Sequence, residues 1–470
     1  MKAALCLPLL AALLAAPLPG RGAPAGPGPS RPNFVVIVID ALRPDHMSLY
    51  GSRRRTTPRI DAFSRGASVF TQAISQAPTT LLSFASLFTS MEVSAHGVSN
   101  RERALGDSAL TLAEILRLYN YKTGAFLGGH SLHPVFRLDR GFDEYYHVDR
   151  TSSSFSDTLP PALAWAEERQ ALGEPFLLLV HGNDLHTPYV FPPQSLYDKG
   201  FKVSPGLAEL SESHSRVFGA YRRRLILGPG KGPLELTGDD VNHLLARYDE
   251  GVRYADGLVG AFLEDLRGKG ILDGSVVVIT ADHGEGLFDH DYFFHDFSLY
   301  DEVLRVPLLI RVPGGRGSKI GAQVRLMDLL PTLLDFAGIP APEQAQGRSL
   351  KPLTEGRGGG EVYSLSEGPF GGKALRTGRW KLLVNRGKTE LFDLRSDPRE
   401  LRDLAAREPA IVEELRRELE ARLSANGAGL PARPLPYGAG FPPGTAEEGA
   451  WYAELFRMLL DPEPPPPASR

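Results

Sequence analysis

The chain is almost free of cysteine. Its 470 residues contain a single one, Cys6, inside an apolar N-terminal stretch. That stretch has the layout of a signal peptide, so a mature protein cut after it would contain no cysteine. Disulfide bonds, thiolate metal ligands and a cysteine nucleophile are then excluded together. A metal site or a nucleophile has to be built from oxygen and nitrogen side chains.

The N-terminal apolar stretch is too short for a convincing membrane span. A basic start precedes the apolar run Ala3 to Ala16, and Pro and Gly dominate up to Pro32. We assign residues 1–23 to a signal peptide, whose cleavage point the sequence leaves open, and residues 24–32 to a linker. The chain also lacks any Asn-x-Ser/Thr sequon. These features predict a periplasmic or secreted protein with no stable membrane span.

The chain has no excess of charge of either sign. Lys and Arg number 52 and Asp and Glu 56, which gives a formal net charge of −4. This balance gives no reason to expect a nucleic-acid partner. Hydrophobic residues make up 42% of the chain, which is ordinary for a globular protein.

Two apolar segments end in residues that bind metals. The β-branched run Gly274 to Thr280 is followed by Asp282 and His283, and the run Phe34 to Ile39 is followed by Asp40. Each run predicts a buried strand that delivers these residues at its carboxyl end. In open α/β sheets ligands bind along that edge, so we expect Asp40, Asp282 and His283 to converge. The pattern predicts a metal-centred hydrolase.

Strand and helix patterns alternate along most of the chain. This predicts an α/β fold with a large mixed, mostly parallel sheet sandwiched by helices, over residues 33–345. Shorter antiparallel strands and an amphipathic helix predict a smaller C-terminal α+β subdomain at 346–424. The Pro- and Gly-rich tail 425–470 is expected to be mostly disordered. Within the large domain, a helix is predicted over Pro160 to Leu172 and an inserted rim or lid over 205–233.

A pair of threonines lies where a loop enters a helix. Pro78, Thr79 and Thr80 precede an apolar pattern of helical type that ends at Thr89. A hydroxyl at a helix N-terminus lies in positive potential among free N–H groups. Most threonines at such a position are simple N-caps. The alternative is a nucleophile, which requires a metal that lowers the pKa of the hydroxyl.

The ordered motifs of the chain resemble those of the sulfatase family. The segment Thr80 to Thr89, followed by His96-Gly97-Val98, is similar to the sulfatase signature, and Asp40 to His46 resembles the first metal-ligand motif. Further motifs follow in family order: Thr57-Pro58-Arg59-Ile60-Asp61, Gly141-Phe142-Asp143, His186-Thr187-Pro188-Tyr189, Asp282-His283-Gly284-Glu285, Val306-Pro307, Asp328-Leu329-Leu330-Pro331-Thr332, and Glu390-Leu391-Phe392-Asp393-Leu394 with Asp397-Pro398. The resemblance covers roughly residues 33 to 410, and several motifs in order are far more specific than one.

The resemblance implies a sulfatase-like fold within the alkaline-phosphatase superfamily. It implies that Asp40, Asp282 and His283 bind a divalent metal, as one or two ions of Zn, Ca, Mg or Mn, and that residue 80 is the nucleophile. The family nucleophile is a formylglycine made from Cys or sometimes Ser, whereas this chain has Thr80. A formylglycine mechanism is therefore not expected.

Several other groups of the sulfatase pattern are missing. Phe84 replaces the Arg of the signature, Leu82 replaces its Pro, and Ala41 replaces the second ligand Asp. In the motif that holds the sulfate group, Gly128 stands in place of Lys, while His130 is retained as a candidate substrate-binding residue.

A metal-bound threonine is used by the phosphatase, phosphodiesterase and phospholipid-transferase branches of the superfamily, which the chain also resembles. By this resemblance Thr80 is both a metal ligand and the nucleophile. His295 has the spacing of a transferase His that faces the substrate or a second metal, and His186 is its partner. Both are candidate catalytic and substrate-binding residues, since a second cation or protonated imidazoles would offset the lost basic groups. Arg43 is expected to hold the Asp40 loop or to bind substrate.

The remaining candidates have weaker support. Asp184 and His290 are further candidate site residues, although His181, His290 and His295 taken singly are ordinary loop histidines more often than not. Glu285 is expected to hold a ligand in place, and His96 to orient the loop beyond the nucleophile helix.

Three functions remain open at this point. The first is a metal-dependent hydrolase, or a transferase, of phosphoric or sulfuric esters with Thr80 as nucleophile; residue chemistry favours a phosphate ester or diester. The second is a true sulfuric ester hydrolase that works without formylglycine. The third is a non-catalytic binding protein on a sulfatase fold, suggested by the charges missing at Ala41, Phe84 and Gly128. The expected substrate is a small-molecule, lipid or glycan ester.

Overall fold

The structure of the protein is a computed structural model. It describes residues 31–149, 153–187, 189, 196–207, 217–221, 224–227, 234–385, 387–427 and 429–435. The expected signal peptide, nearly all of the linker, most of the inserted segment 205–233 and residues 436–470 of the tail lie outside the described residues.

Apolar and β-branched segments form most of the strands, as their composition predicts. In chain order the described strands are β1 (Asn33–Ile39), β2 (Ser68–Ile74), β3 (Arg103–Ala104), β4 (Lys122–Gly128), β5 (Glu144–Val148), β6 (Phe176–Gly182), β7 (Val217–Tyr221), β8 (Arg224–Leu227), β9 (Leu234–Glu235), β10 (Ser275–Thr280), β11 (Tyr292–Phe293), β12 (Arg305–Arg311), β13 (Ser318–Arg325), β14 (Ser364–Glu367), β15 (Lys373–Arg376), β16 (Trp380–Asn385), β17 (Lys388–Asp393) and β18 (Arg433–Pro434).

Helices connect and flank these strands. The described α-helices are Pro58–Ser64, Thr80–Thr89, Val93–His96, Leu112–Leu118, Phe155–Ala171, Gly238–Gly268, Asp301–Leu304, Leu329–Ala337, Lys351–Thr354 and Pro409–Asn426. Short 3-10 turns occur at Pro44–His46, Ser48–Tyr50, His130–Leu132, Pro134–Phe136, Leu272–Gly274 and Leu326–Asp328. None of the helices in the described part of the chain is long and apolar enough to cross a membrane.

One large sheet holds the protein together. Its eight strands lie in the order β13-β2-β12-β10-β1-β6-β4-β5. Within this sheet β12 runs antiparallel to both of its neighbours, and the other pairings are parallel. The predicted α/β fold with a large mixed, mostly parallel sheet is therefore confirmed.

The central strand β1 lies between β10 and β6. Val38 pairs with Thr280 on one side, and Ile39 pairs with Gly182 on the other. Strands β6 and β10 are buried along their whole length, as is β1 after its first residue. Continuous apolar runs of this kind are typical of parallel strands covered on both faces. The carboxyl ends of the three strands lie side by side, which determines where the site forms.

The helix predicted over Pro160 to Leu172 begins earlier than expected. It starts at Phe155, because the Ser154 side chain accepts from the Ser156 N–H and Asp157 completes a capping box. The prediction placed the start at a proline, as is common for a first helical position. That start was wrong, since Pro160 lies inside the helix and the local cap decides where it begins.

A second, antiparallel sheet follows the large one in the chain. It has the order β14-β15-β16-β17. Leucines of this sheet are buried against Leu415 and Leu419 of the helix Pro409–Asn426. The amphipathic helix predicted for this region therefore covers the small sheet with its apolar side.

The first residues of the tail, 425–427 and 429–435, make defined contacts with distant parts of the chain. The Leu430 N–H donates to the Ala95 carbonyl at 2.7 Å, and β18 pairs with β3. The Asn426 side chain donates to Glu92 at 2.9 Å and to Ser94 at 2.7 Å. These contacts are with residues far away in the sequence, so the local Pro and Gly content does not predict them.

Candidate active site

Adjacent strands deliver polar residues to one edge of the large sheet. Asp40 follows β1, and Asp282 and His283 follow β10; ligand atoms of the three lie within 4.8 Å of one another. His283 Nε2 is 3.6 Å from Asp40 Oδ1 and 3.5 Å from Asp282 Oδ2. All three side chains are buried. The structure thus brings together the three residues that the strand pattern selected.

A close backbone contact fixes the position of His283. The Gly284 N–H donates to the Val303 carbonyl at 2.9 Å, and a Cβ at position 284 would lie 2.0 Å from the Glu302 carbonyl oxygen. Only glycine fits so close an approach. His283 Nδ1 lies 2.8 Å from the Gly284 carbonyl, which can only accept, so Nδ1 carries the hydrogen. The lone pair of Nε2 therefore faces Asp40.

Thr80 is the first residue of the helix Thr80–Thr89, with Thr79 as the N-cap residue. Its Oγ1 lies 3.2 Å from His283 Nε2 and 3.4 Å from Asp40 Oδ1. The side chain of Thr79 makes no capping hydrogen bond, and its Oγ1 is buried without a partner among the described residues. Thr80 directs its hydroxyl at the three-residue cluster, as the nucleophile hypothesis requires.

Two buried carboxylates face each other in this cluster. Burial, followed by the charge of Asp282, raises the pKa of Asp40 well above its usual range. Burial opposes the ionisation of Asp282 as well, but His283 and His181 hold its pKa below the ordinary value. Oδ2 of Asp40 and Oδ2 of Asp282 lack a hydrogen-bond partner among the described residues. Unpaired buried carboxylate oxygens are costly, and a divalent cation is the group that fits them.

His295 and His186 lie next to the cluster. The ring centroids of His295 and His283 are 4.3 Å apart, and those of His186 and His295 are 5.4 Å apart. Burial lowers the pKa of His186 to about 4 and also lowers the pKa of His295. Burial thus disfavours protonated imidazoles as the source of positive charge. Neutral imidazoles suit a second cation or a proton acceptor instead.

Glu285 contacts His295 and Tyr189. Its Oε1 lies 3.1 Å from His295 Nδ1, and its Oε2 accepts from the Tyr189 hydroxyl at 3.3 Å. Burial raises the pKa of Glu285 to about 7. Tyr189 was not singled out as a separate site residue in the sequence, although it ends the quoted His186 motif.

The segment that carries His295 is strained. Phe294 has a φ of 91°, which a bulky residue rarely adopts. Its ring stacks on that of His295 with centroids 4.0 Å apart and meets the His186 ring edge-on at 5.6 Å. Strain of this kind concentrates at functional sites.

Arg43 connects two loops at the edge of the site. Its guanidinium donates to Asp45 at 2.7 Å, to Asp289 at 2.6 Å and to the Glu285 carbonyl at 3.1 Å. The side chain is 3% exposed. With its donors engaged in this way, Arg43 is suited to holding the Asp40 loop, and the geometry disfavours the alternative role of binding substrate.

The two weaker candidates lie outside the cluster. Asp184 accepts hydrogen bonds from the Ser154 hydroxyl and from the Phe155 N–H, and so it supports the start of a helix. His290 Nδ1 lies 2.7 Å from a carboxylate oxygen of Glu302. Both side chains have structural partners, and the structure gives them no contact with Thr80 among the described residues.

Two further histidines have local partners. His130 Nδ1 hydrogen-bonds Asp149, just after β5, so its role in substrate binding remains a prediction. His96 Nε2 lies 3.0 Å from Ser86 Oγ, and His96 Nδ1 accepts from the Val98 N–H at 3.1 Å. His96 therefore joins the helix Thr80–Thr89 to the loop that follows it.

The structure adds His181, which the sequence analysis treated as a loop histidine. It lies in β6, is buried, and has Nε2 4.0 Å from Asp40 Oδ1. The signal was present in the sequence, because His181 directly follows the apolar run Phe176 to Val180. Ligands bind at the carboxyl ends of strands in open α/β sheets, and this rule, which selected Asp40, applies to His181 as well.

Comparison with known families decides the identity of the scaffold. Residues 32–339 match the Sulfatase family, and residues 288–427 match the family described as N-sulphoglucosamine sulphohydrolase, C-terminal. The chain belongs to the sulfatase family. This sulfatase-family chain is an ester hydrolase of the alkaline-phosphatase superfamily.

The sulfatase-family chain is similar to curated sulfatases over most of its length. It is 27% identical over 437 residues to an ulvan-active sulfatase of Formosa agariphila, covering 84% of this chain and 81% of that protein. It is 27% identical over 478 residues to arylsulfatase K of Bos taurus, covering 87% and 86% of the two chains.

Solved structures show the same fold. A phosphonate monoester hydrolase of Agrobacterium radiobacter aligns with a TM-score of 0.68 and 20% identity, over 84% of this chain and 96% of that one. A protein in complex with its substrate, D-glucosamine-2-N,6-O-disulfate, aligns with a TM-score of 0.66 and 19% identity, over 85% and 99%.

Proposed function

We propose that the protein hydrolyses phosphoric or sulfuric esters with Thr80 as nucleophile, and that phosphate esters or diesters are preferred. The observation that carries the proposal is the Thr80 hydroxyl at a helix N-terminus, within 3.4 Å of Asp40 and 3.2 Å of His283. Thr80 has a methyl group on Cβ, so oxidation cannot give the aldehyde of formylglycine. The hydroxyl itself must attack.

A divalent cation would be held by Asp40, Asp282, His283 and the Thr80 hydroxyl. When bound, it supplies the positive charge that lowers the pKa of the Thr80 hydroxyl and neutralises charge on the ester oxygens. Imidazole and carboxylate ligands suit Zn or Mn, and Mg or Ca are less favoured by a nitrogen ligand. A second ion beside His186 and His295 would supply the positive charge that burial disfavours on both rings.

The covalent step follows from the positions of Thr80 and Asp40. The hydroxyl proton passes to Asp40 Oδ1, which accepts from Thr80 in the structure. Thr80 Oγ1 attacks phosphorus, and the Oγ1–P bond forms while the bond from phosphorus to the leaving oxygen breaks, so that this oxygen departs with the bonding electron pair. A water that loses its proton to His295 then attacks phosphorus, and the Oγ1–P bond breaks as Asp40 returns its proton to Thr80 Oγ1. An alcohol in place of this water gives transfer rather than hydrolysis.

The preference for phosphate rests on the missing sulfate clamp. Position 128, where the sulfatase pattern has Lys, is glycine, and a Cβ there would lie 2.2 Å from the Ser153 hydroxyl. A lysine has no room at this position, so the clamp cannot be restored by one substitution. The phosphonate monoester hydrolase of the same fold is compatible with phosphorus chemistry on this scaffold.

A sulfuric ester hydrolase that works without formylglycine is the second candidate. The curated relatives carry sulfatase names, and one similar structure holds a sulfated glucosamine. We propose a glycan, lipid or small-molecule ester as substrate, and a periplasmic or secreted location, supported by the apolar N-terminal run.

Turnover of an aryl phosphate, an aryl phosphodiester and an aryl sulfate separates these candidates. The cation-loaded wild type, Thr80→Ala, Thr80→Ser and the control His290→Asn are compared. We expect the phosphate substrates to be favoured, activity to be lost with Ala and partly kept with Ser, and the control to match the wild type. Sulfatase turnover that survives Thr80→Ala would overturn the proposal.

A further inference from the structure

His181 presents a free imidazole nitrogen to the metal cluster. Its side chain is 1% exposed, and Nε2 has no hydrogen-bond partner among the described residues. Nε2 lies 4.0 Å from Asp40 Oδ1, an oxygen that is also 3.6 Å from His283 Nε2. A buried nitrogen without a partner costs free energy unless something binds it. A group that binds His181 Nε2 would therefore lie close to Asp40.

The tautomer of His181 is set for binding a cation. Nδ1 lies 3.0 Å from the Gly128 carbonyl, which can only accept, so Nδ1 carries the hydrogen and Nε2 has a free lone pair. His283 has the same arrangement with the Gly284 carbonyl at 2.8 Å. Metal-binding histidines almost always donate their other N–H in this way, since the hydrogen bond fixes the ring and its tautomer.

One departure from the sulfatase pattern directly follows Asp40, and another contacts His181. Ala41, where the pattern has the second ligand Asp, offers no donor atom, and its N–H donates to Asp282 Oδ1 at 3.3 Å. Phe84, where the pattern has Arg, meets the His181 ring edge-on with centroids 5.3 Å apart. Position 41, next to Asp40, therefore lacks the carboxylate of the pattern. The apolar ring of Phe84 instead packs against the imidazole of His181.

We infer that His181 Nε2 is a further ligand of the cation, replacing the carboxylate that position 41 lacks. The inference rests on the metal-dependent function proposed above. Zinc-to-ligand bonds of about 2.0 to 2.2 Å keep two ligands of one ion within roughly 4.4 Å of each other. The 4.0 Å between His181 Nε2 and Asp40 Oδ1 lies inside this limit. A second imidazole makes the site more selective for zinc than for calcium or magnesium.

Zinc affinity of the full chain tests the inference directly. His181→Phe replaces the imidazole with a phenyl ring, which can still contact Phe84 but has no nitrogen lone pair to bind a metal. Competition with a chromophoric chelator should give a zinc affinity at least about tenfold weaker than that of the wild type. His290→Phe, a ring substitution outside the cluster, should leave the affinity unchanged. The melting temperature of each metal-free variant reports folding separately.

A second substitution should restore what the first removes. Ala41→Asp in the His181→Phe background returns the carboxylate of the family pattern. Ala41 has a φ of 55°, a conformation that Asp tolerates better than most residues. Recovery of zinc affinity in the double variant supports a ligand role, and an equal loss in both variants counts against it.

X-ray absorption of the wild type loaded with a single zinc ion per chain needs no variant. Scattering from two imidazole rings is expected, and a single ring would overturn the inference even if His181→Phe failed to fold. If the wild type hydrolyses esters and binds zinc while His181→Phe binds it equally well, this inference fails alone. If the wild type binds no divalent cation, the metal-dependent function fails with it.

Discussion

Thr80 Oγ1 lies 3.2 Å from His283 Nε2, although the two residues are 203 positions apart in the chain. Thr80 begins a helix, and His283 follows a central strand of the large sheet. The contact places a hydroxyl between the positive end of a helix and a buried pair of carboxylates. Several experiments follow from it.

A covalent intermediate should form on Thr80. After acid quenching of a reaction with an aryl phosphate, mass spectrometry should find a phosphoryl group on the peptide that contains Thr80. His295→Asn should increase its amount, because the water that resolves the intermediate loses its base. Thr80→Ala should show no adduct and lose roughly 10⁴- to 10⁶-fold in kcat. An adduct on any other residue would contradict the nucleophile assignment.

Glu285 should act through His295. Glu285→Gln keeps the size of the side chain but changes its hydrogen bonding to His295 Nδ1, so kcat should fall by roughly 10- to 100-fold. KM should change little, because Glu285 is buried and is not expected to contact substrate. Tyr189→Phe removes a single hydrogen bond at 3.3 Å and should have a smaller effect in the same direction. A rise in KM with constant kcat would instead assign Glu285 to substrate binding.

Arg43 should matter more for stability than for substrate affinity. Arg43→Met removes a hydrogen-bond donor from Asp45, Asp289 and the Glu285 carbonyl, at a cost of about 2 to 3 kcal/mol in the free energy of unfolding. Arg417→Met, at a pair with a 70% exposed Arg, should change it by less than about 0.5 kcal/mol. Urea denaturation measures both. A large rise in KM with unchanged stability would favour the substrate-binding alternative.

Removal of the cation should inactivate and destabilise the protein together. Without it, Asp40 and Asp282 lie close to each other and buried, and Oδ2 of each has no hydrogen-bond partner among the described residues. Saturation at 100 times the dissociation constant should restore about 2.7 kcal/mol of stability. The cation should stabilise Asp40→Asn less than the wild type, because one of the two facing carboxylates is gone. Thermal unfolding with and without a chelator measures the difference, and equal melting temperatures for the wild type would contradict a bound cation.

His96 should make the protein sensitive to acid. Burial lowers the pKa of His96 from 6.5 to about 3, so between these values the unfolded chain binds the proton more readily than the folded one. The stability contribution of His96 is complete above pH 6.5 and is lost as the pH falls toward 3. His96→Asn can keep both hydrogen bonds without titrating. Its free energy of unfolding should therefore depend less steeply on pH over this window.

Sequence patterns found the cluster because strand ends are visible in them. Asp40 and Asp282 each follow an apolar run, and parallel strands share one carboxyl edge, so their convergence was predictable. The same rule applied to His181, but a single histidine has too many ordinary roles to be selected by itself. The start of the helix at Phe155 was missed because Pro160 is the stronger local signal.

The sequence by itself determined the sheet, the strand ends and the presence of Thr80 in place of a formylglycine precursor. These depend on local composition, which is read along the chain. Only the tertiary structure decided that Arg43 is engaged by Asp45 and Asp289, that burial lowers the pKa of His186 and His295, and that His181 Nε2 has no hydrogen-bond partner in the described part of the chain. Each of these properties depends on burial and on partners distant in sequence. Burial and distant partners are both determined only when the strands and loops pack together.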